Sequence, residues 1–185
     1  YRILSVMASD GVEYVFMEAS SHALALRKLD ALTFHAAVFT NLTEEHLDFH
    51  GNMENYFSAK ARLFSMCKRA IINLDDAYGK RLKGTVSCSV LTCSAKGEAA
   101  DFSAEEILDL GAEGMSYSLR SRNVLATVHT PIPGRFTVMN TLEAAACAVS
   151  EGITPSTVTS ALSALCGVDG RMERVRLGIP CGFSV

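Results

Sequence analysis

His46 and His50 stand four residues apart with Asp48 between them, in the run Ala37-Val-Phe-Thr-Asn-Leu-Thr-Glu-Glu-His-Leu-Asp-Phe-His-Gly51. Imidazoles and carboxylates at that spacing can hold a cation or move a proton, and the same pattern also decorates solvated turns. Downstream, Lys60 lies beside the apolar stripe of a helical pattern made by Met53, Tyr56, Phe57, Ala61 and Phe64. A long cationic side chain in that position either snorkels to water or points into a site. Upstream, Glu18 follows the apolar run Glu13-Tyr-Val-Phe-Met17 and precedes Ala19-Ser20-Ser21-His22. A carboxylate, an imidazole and a lysine brought to one place would suit chemistry on a cation and anionic oxygens.

Bringing them together is the task of the surrounding elements. Glu13–Met17 has the make-up of a buried strand that delivers Glu18 at its carboxyl end, with Ser20 or Ser21 as the N-cap of a following helix. Residues 36–40 predict a second strand, ending at the polar turn Thr40-Asn41. Two such strands, parallel and joined by a crossover, place Glu18 and His46 at one sheet edge, where open α/β sheets form their sites. Ala70–Asn73 and Val86–Cys93 predict further strands, with a helix opened by Asp75-Asp76 over about 76–83. Residues 102–110, 114–120 and 123–130 alternate as an antiparallel meander does. Pro131-Ile-Pro-Gly134 breaks the chain before an alanine-rich helix at Asn140–Val149, and Pro155 opens another to about Leu165. Residues 1–9 read as a helix stopped by Asp10-Gly11. The fold class is α/β: a mainly parallel sheet flanked by helices, with a small antiparallel meander at about 100–130.

Composition narrows the function. With 185 residues, 49% hydrophobic and 20% charged, the chain has the material for one globular domain with an ample core. No apolar run is long enough to span a bilayer and no signal-peptide pattern opens the chain, so a cytoplasmic protein with no membrane partner is expected. The net charge of −3, with 17 basic residues spread along the chain, leaves no basic stripe and excludes nucleic acid as a partner class. Six cysteines without a C-x-x-C pair, mostly among apolar or small residues, predict reduced thiols rather than a disulfide framework or a zinc site.

Taken in order, Met17-Glu-Ala-Ser-Ser-His-Ala-Leu24, Phe39-Thr-Asn-Leu-Thr-Glu-Glu-His-Leu-Asp-Phe-His-Gly51, Ala59-Lys-Ala-Arg-Leu-Phe64, Ile72-Asn-Leu-Asp-Asp76, Pro133-Gly-Arg-Phe136 with Asn140, and Gly170-Arg-Met-Glu173 resemble the central ATP-binding domain of the Mur ligases. The resemblance covers nearly the whole chain and is strongest to the branch that adds the third residue of the peptidoglycan stem peptide. It implies an ATP-dependent, ADP-forming ligase with ATP and magnesium as cofactors. Its substrates would be UDP-N-acetylmuramoyl-L-alanyl-D-glutamate and an amino acid, diaminopimelate or lysine, and it would act as a monomer through an acyl phosphate. Glu18 and His46 match magnesium ligands of the family, and Lys60 matches the lysine that the family carbamylates; these three would be the catalytic set. Ser20 matches a contact to the muramoyl peptide, Asn140 an adenine contact and Arg171 an arginine near the nucleotide. Ser20 and Asn140 would equally serve as helix caps, and Arg171 as a surface charge.

Departures from the family pattern are also informative. Leu26 and Lys28 stand where the branch has glutamine and arginine for its substrate, so Lys28 and the adjacent Arg27 are the candidate substrate contacts, and lysine lacks the guanidinium fork. Thr137 replaces a common asparagine, and Glu45 an aspartate. No G-x-x-x-x-G-K-[ST] phosphate loop occurs in the sequence. Residues 1–178 are therefore expected to be part of a Mur ligase central domain, inactive alone, with 179–185 starting the connection to a further domain. Rival readings are a folylpolyglutamate synthetase-like ligase and a noncatalytic nucleotide-binding module. A carbamylated-lysine metallohydrolase would need a (β/α)₈ barrel of about 250 residues.

Overall fold

The structure, a computed structural model, describes residues 1–165 and Gly167. A six-stranded sheet in the order β1-β2-β3-β4-β5-β6 forms its centre. The strands are β1 (Phe34–Phe39), β2 (Cys67–Asn73), β3 (Ser89–Ser94), β4 (Phe102–Asp109), β5 (Met115–Ser121) and β6 (Val124–Thr130). Strands β1 to β4 pair in parallel and β4 to β6 antiparallel, so the mainly parallel sheet with its attached meander forms as expected. Strand β2 explains why the sheet needs cover on both faces. Ala70, Ile71 and Ile72 are consecutive, apolar and fully buried, so successive side chains enter opposite cores. Ile71 packs with Tyr117, Val138 and Leu142, and Ile72 with Phe39, Phe57 and Leu82.

The connections supply that cover. Helices α3 (Leu47–His50) and α4 (Met53–Ala61) carry β1 to β2, and α5 (Ala77–Lys83) carries β2 to β3. Asn52 caps α4 by accepting from the Asn55 amide, and Asp76 caps α5 by accepting from the amides of Tyr78 and Gly79. Helix α5 lies so close to β2 that a Cβ at Gly79 would stand 1.9 Å from the Asn73 carbonyl oxygen, which only glycine allows. No helix joins β3 to β4. Their ladder is confined to Cys93↔Phe102 and Ser94↔Ser103, so β4 starts where β3 ends and the chain need not return along the sheet.

The opposite face is closed by α6 (Phe136–Ser150) and α7 (Pro155–Ser163). Arg69, near the start of β2, donates to the Ser150 carbonyl at 2.9 Å, and His35, near the start of β1, contacts Glu151 at 2.9 Å. The C-terminus of α6 therefore lies at the amino ends of the parallel strands, and its N-terminus at their carboxyl ends. Among the described residues no helix is long and apolar enough to cross a membrane.

The expected strand at Glu13–Met17 does not form. After α1 (Arg2–Ser9) the chain runs to Ser20 in no regular element and without a ladder partner, and Tyr14 and Phe16 are 71% and 90% exposed. Apolar residues on both faces give this run the pattern of a doubly covered strand, but pattern describes an environment and cannot provide the neighbouring strand that completes a ladder. Glu18 therefore sits on an exposed irregular segment that leads into α2 (Ser21–Ala25), not at a strand end.

Glu143 is the one buried acid of α6, 1% exposed, with neither carboxylate oxygen hydrogen-bonded among the described residues. Burial first, and the charge of Asp75 second, push its pKa up to about 8. The folded chain thus keeps a proton that the unfolded chain releases near the ordinary value of 4.5. Stability is full below that ordinary value and falls as pH rises towards the folded value, by at most about 1.4 kcal/mol per pH unit within the window. Urea denaturation at pH 5 and pH 8 should show this loss, and the Glu143→Leu variant should lack this component and be the more stable protein at pH 8.

Candidate active site at the carboxyl edge of the sheet

The carboxyl ends of β1, β2 and β3 are tied by side chains. Asn73, at the tip of β2, donates from Nδ2 to the Thr40 carbonyl at 2.6 Å and accepts at Oδ1 from the Asp75 amide at 2.7 Å. Asp75 accepts from the Ser94 hydroxyl at 2.6 Å and the Ala95 amide at 2.8 Å, which adds β3 to the assembly. Asp76 caps α5 with Oδ1 and accepts from the Leu42 amide with Oδ2 at 3.1 Å. The backbone of Thr40 to Leu42 is thereby fixed at the strand tip.

Lys60 reaches this fixed backbone from the last turn of α4. Its Nζ donates to the Asn41 carbonyl at 3.2 Å and lies 5.2 Å from the centre of the Tyr56 ring. The half-buried ammonium is held below the ordinary lysine range by desolvation, against an upward pull from Glu45, Asp76 and Glu18. Tyr56 is also the floor for two histidines: His46 meets it edge-on at 6.0 Å, and His50 stacks on it at 4.9 Å with ring planes 15° apart. His22, from α2, contacts His46 at 5.2 Å and Phe49 at 4.1 Å.

His46 is exposed and holds a left-handed backbone, φ 58°, as the N-cap of the four-residue α3. That turn sends its imidazole outward while His50 turns in. His50 is 7% exposed, and its Nε2 lies 2.9 Å from the Ser21 hydroxyl. Burial, followed by the nearby His22 and His46, lowers its pKa, with Asp48 opposing, so His50 favours the neutral ring that a hydroxyl partner accommodates. One imidazole thus joins α2, the His46 turn and α4.

The structure gathers the sequence-predicted residues unevenly. Lys60 and His46 share the Tyr56 ring, and Glu18 is near enough for its charge to act on Lys60. Ser20 is the N-cap of α2, accepting from the Ala23 amide at 3.2 Å. Arg27 and Lys28 lie beyond the other end of that helix, where Arg27 pairs with Asp30 at 2.9 Å. Asn140 is exposed near the N-terminus of α6, at the carboxyl end of the sheet but on its other face. Arg171, the Gly170-Arg-Met-Glu173 motif and residues 179–185 lie outside the described residues. Sequence reasoning quoted Ile72-Asn-Leu-Asp-Asp76 as a motif and Tyr56 as part of an apolar stripe, but did not give them their roles as clamp and floor of the site. The signal for the clamp was available, since Asn and Asp directly after an apolar strand favour side-chain bonding to nearby backbone.

Among the described residues no three His, Cys, Asp or Glu side chains form a ready metal cage. The carboxylates that act on Lys60, namely Glu45, Asp76 and Glu18, are hard oxygen donors. They fit magnesium, which keeps most of its waters and binds through one or two protein carboxylates.

Comparison with known proteins places the chain in a family. The pattern of the Mur ligase middle domain matches residues 1–148. The chain belongs to the Mur ligases. Among curated Mur ligases it is similar to the UDP-N-acetylmuramoyl-L-alanyl-D-glutamate--2,6-diaminopimelate ligase of Streptomyces coelicolor, 40% identical over 182 residues, covering 96% of this chain and 36% of that protein. The first of the same-named ligases of Clostridium acetobutylicum is 38% identical over 184 residues, covering 100% of this chain and 38% of that protein. A solved structure of a ligase of that name superposes with a TM-score of 0.86 at 32% identity, over 95% of this chain and 37% of the other. MurF from Acinetobacter baumannii shares the fold, with a TM-score of 0.71 at 22% identity over 78% of this chain and 32% of its own. This Mur ligase chain thus spans just over a third of the length of the curated relatives it matches.

The His50 junction can be tested by stability alone. His50→Ala leaves the buried Ser21 hydroxyl without its partner and should cost about 1–3 kcal/mol in urea denaturation. Ser21→Ala should cost less, and the double variant should cost clearly less than the sum of the two, as expected for residues that share one hydrogen bond.

Proposed function

We propose that this chain is the middle, nucleotide-handling part of a longer cytoplasmic ligase that joins an amino acid, diaminopimelate or lysine, to UDP-N-acetylmuramoyl-L-alanyl-D-glutamate in peptidoglycan synthesis. The observations that support the reading are the strand-tip edge where Lys60 and His46 share the Tyr56 ring within range of the Glu18 charge, and 40% identity across 96% of the chain to a diaminopimelate ligase. The reaction transfers the γ-phosphoryl group of ATP to a substrate carboxylate, releasing ADP. The amine of the incoming amino acid attacks the acyl phosphate, and the tetrahedral intermediate expels phosphate.

Phosphoryl transfer asks a protein mainly for positioning and for charge to meet the transferring oxygens. Glu18 and His46 would hold magnesium, which supplies that charge when bound. Lys60 would react as its neutral amine with carbon dioxide, forming a carbamate and releasing a proton. An ammonium donor thereby becomes an anionic oxygen donor, and the Asn41 carbonyl and Tyr56 ring fix where it sits. A carbamate beside Glu45, Asp76 and Glu18 concentrates negative charge, which favours cation binding at this edge.

The remaining residues would orient substrates. Ser20 spends a lone pair on its helix cap and keeps its O–H to donate to the muramoyl peptide. Arg27 and Lys28 would meet the same substrate with their positive charge. Asn140 would contact adenine from α6, and Arg171 would lie near the nucleotide. The phosphate loop, for which the sequence has no G-x-x-x-x-G-K-[ST] motif, would come from elsewhere in the longer ligase.

Two measurements test this reading. The 185-residue chain alone should bind ATP with magnesium only weakly in calorimetry, and submicromolar affinity would contradict the division of labour. In the complete ligase, amide formation should fall on the order of 10²-fold or more for both Lys60→Ala and Lys60→Arg. Arginine keeps the charge but cannot become a carbamate. Added acetate or formate should recover part of the Lys60→Ala activity and none of the Lys60→Arg activity. A near-normal Lys60→Arg enzyme would show that the carbamate has no role.

A further inference from the structure

At the amino ends of the strands, opposite the Lys60 edge, Cys67 opens β2 and Cys88 occupies a bend one residue before β3. Their Sγ atoms lie 3.8 Å apart, with both thiols free and half-buried. Both, like Val86 and Val90, pack against the apolar cluster that holds Phe64. The pairing is local and specific, because β2 and β3 are ladder neighbours with Arg69 opposite Ser89. Cys88 itself lies outside the ladder, so its backbone can adjust without breaking a strand hydrogen bond. A disulfide requires sulfurs about 2.0 Å apart, so the 3.8 Å pair must close by roughly 1.8 Å. Side-chain rotation and a small shift of that bend can supply this.

We propose that Cys67 and Cys88 form a dithiol site that small-molecule disulfides of the glutathione class oxidise to an intrachain disulfide. The Cys88 thiolate attacks one sulfur of the oxidant, forming a mixed disulfide and expelling the first thiolate. The Cys67 thiolate then attacks the Cys88 sulfur and expels the second. One S–S bond breaks and one forms overall, and the two cysteine hydrogens end on the two thiols released.

The order of attack follows from the surroundings of Cys67. Burial, then the hydrogen bond and charge of Cys88, push its thiol up, and Cys88 sits in a bend outside the ladder where its backbone can adjust to the oxidant, so Cys88 attacks first. Capping Cys88 as a mixed disulfide removes the last two of these influences and brings the resolving thiol into play beside its target. Cys93 and Cys147 lie in or against the core on the other face of the sheet, and burial pushes both thiols up, so neither competes. The disulfide would tie together residues 21 apart, enclosing β2 and α5, which restricts the unfolded chain.

The test treats the native 185-residue chain with oxidised glutathione, alkylates remaining thiols and maps the cysteines by mass spectrometry. The expected product is one linked Cys67–Cys88 peptide pair, two hydrogens lighter than the separate peptides, with a higher unfolding temperature and full reversal by dithiothreitol. Cys67→Ser should stop at a glutathione adduct on Cys88, and Cys88→Ser should leave Cys67 as a thiol. Cys67 and Cys88 recovered as separate alkylated thiols, as stable glutathione adducts or in bridges to other cysteines would overturn the proposal.

Discussion

The Asn73 side chain is the fastening on which the carboxyl edge depends. Parallel strands end in backbone groups that the ladder no longer satisfies, and at this edge the carboxamide of Asn73 satisfies two at once, the Thr40 carbonyl and the Asp75 amide. Asp75 and Asp76 extend the arrangement to β3 and to the loop after β1. The glycine at position 79 belongs to the same constraint, since α5 must approach the Asn73 carbonyl closely for Asp76 to cap it and still reach Leu42. Lys60 then has a fixed acceptor in Asn41, and its position is inherited from the clamp rather than set by its own helix alone.

The aromatic layer around Tyr56 divides the labour of the histidines. His50 is turned inward and held neutral by burial and its fellow imidazoles, which suits a structural hydrogen bond to Ser21. His46, four residues earlier, is turned outward by its left-handed backbone and remains exposed. Two histidines of one short motif thus have different work because the left-handed backbone at His46 takes it out of the helical register that would bring residues four apart to one face. Asp48, between them, is exposed and acts on His50 only through its charge.

Much of this was legible in the sequence where local chemistry and packing agree. The doubly apolar run of β2, the caps Ser20 and Asp76 and the meander alternation each describe a need that the fold meets within the described residues. Helix α6 begins at Phe136 rather than Asn140, because Gly134 supplies the turn and Thr137 donates its hydroxyl to the Pro133 carbonyl, stabilising a first turn whose composition alone is indifferent. The Glu13–Met17 run failed because its pattern is honoured only if another strand lies beside it. In the site, residue types pointed to Lys60 and His46, but the ring that joins them, Tyr56, looked like ordinary core in an apolar stripe. Glu143 could not be anticipated, since an acid in an alanine-rich helix normally marks the solvated face.

The exposed segment before α2 has a consequence for how the molecule behaves in a crowded solution. Tyr14, Val15, Phe16 and Met17 present apolar surface, and β1 has a ladder partner only on its β2 side among the described residues. An uncapped parallel edge and a stretch of exposed, β-prone, proline-free chain each leave backbone hydrogen-bonding groups open to a strand partner. Any pairing of two copies through these groups would be bimolecular, so its rate would grow with the square of concentration. Dilution, or a competing extended peptide laid along β1, shifts that balance towards the isolated chain.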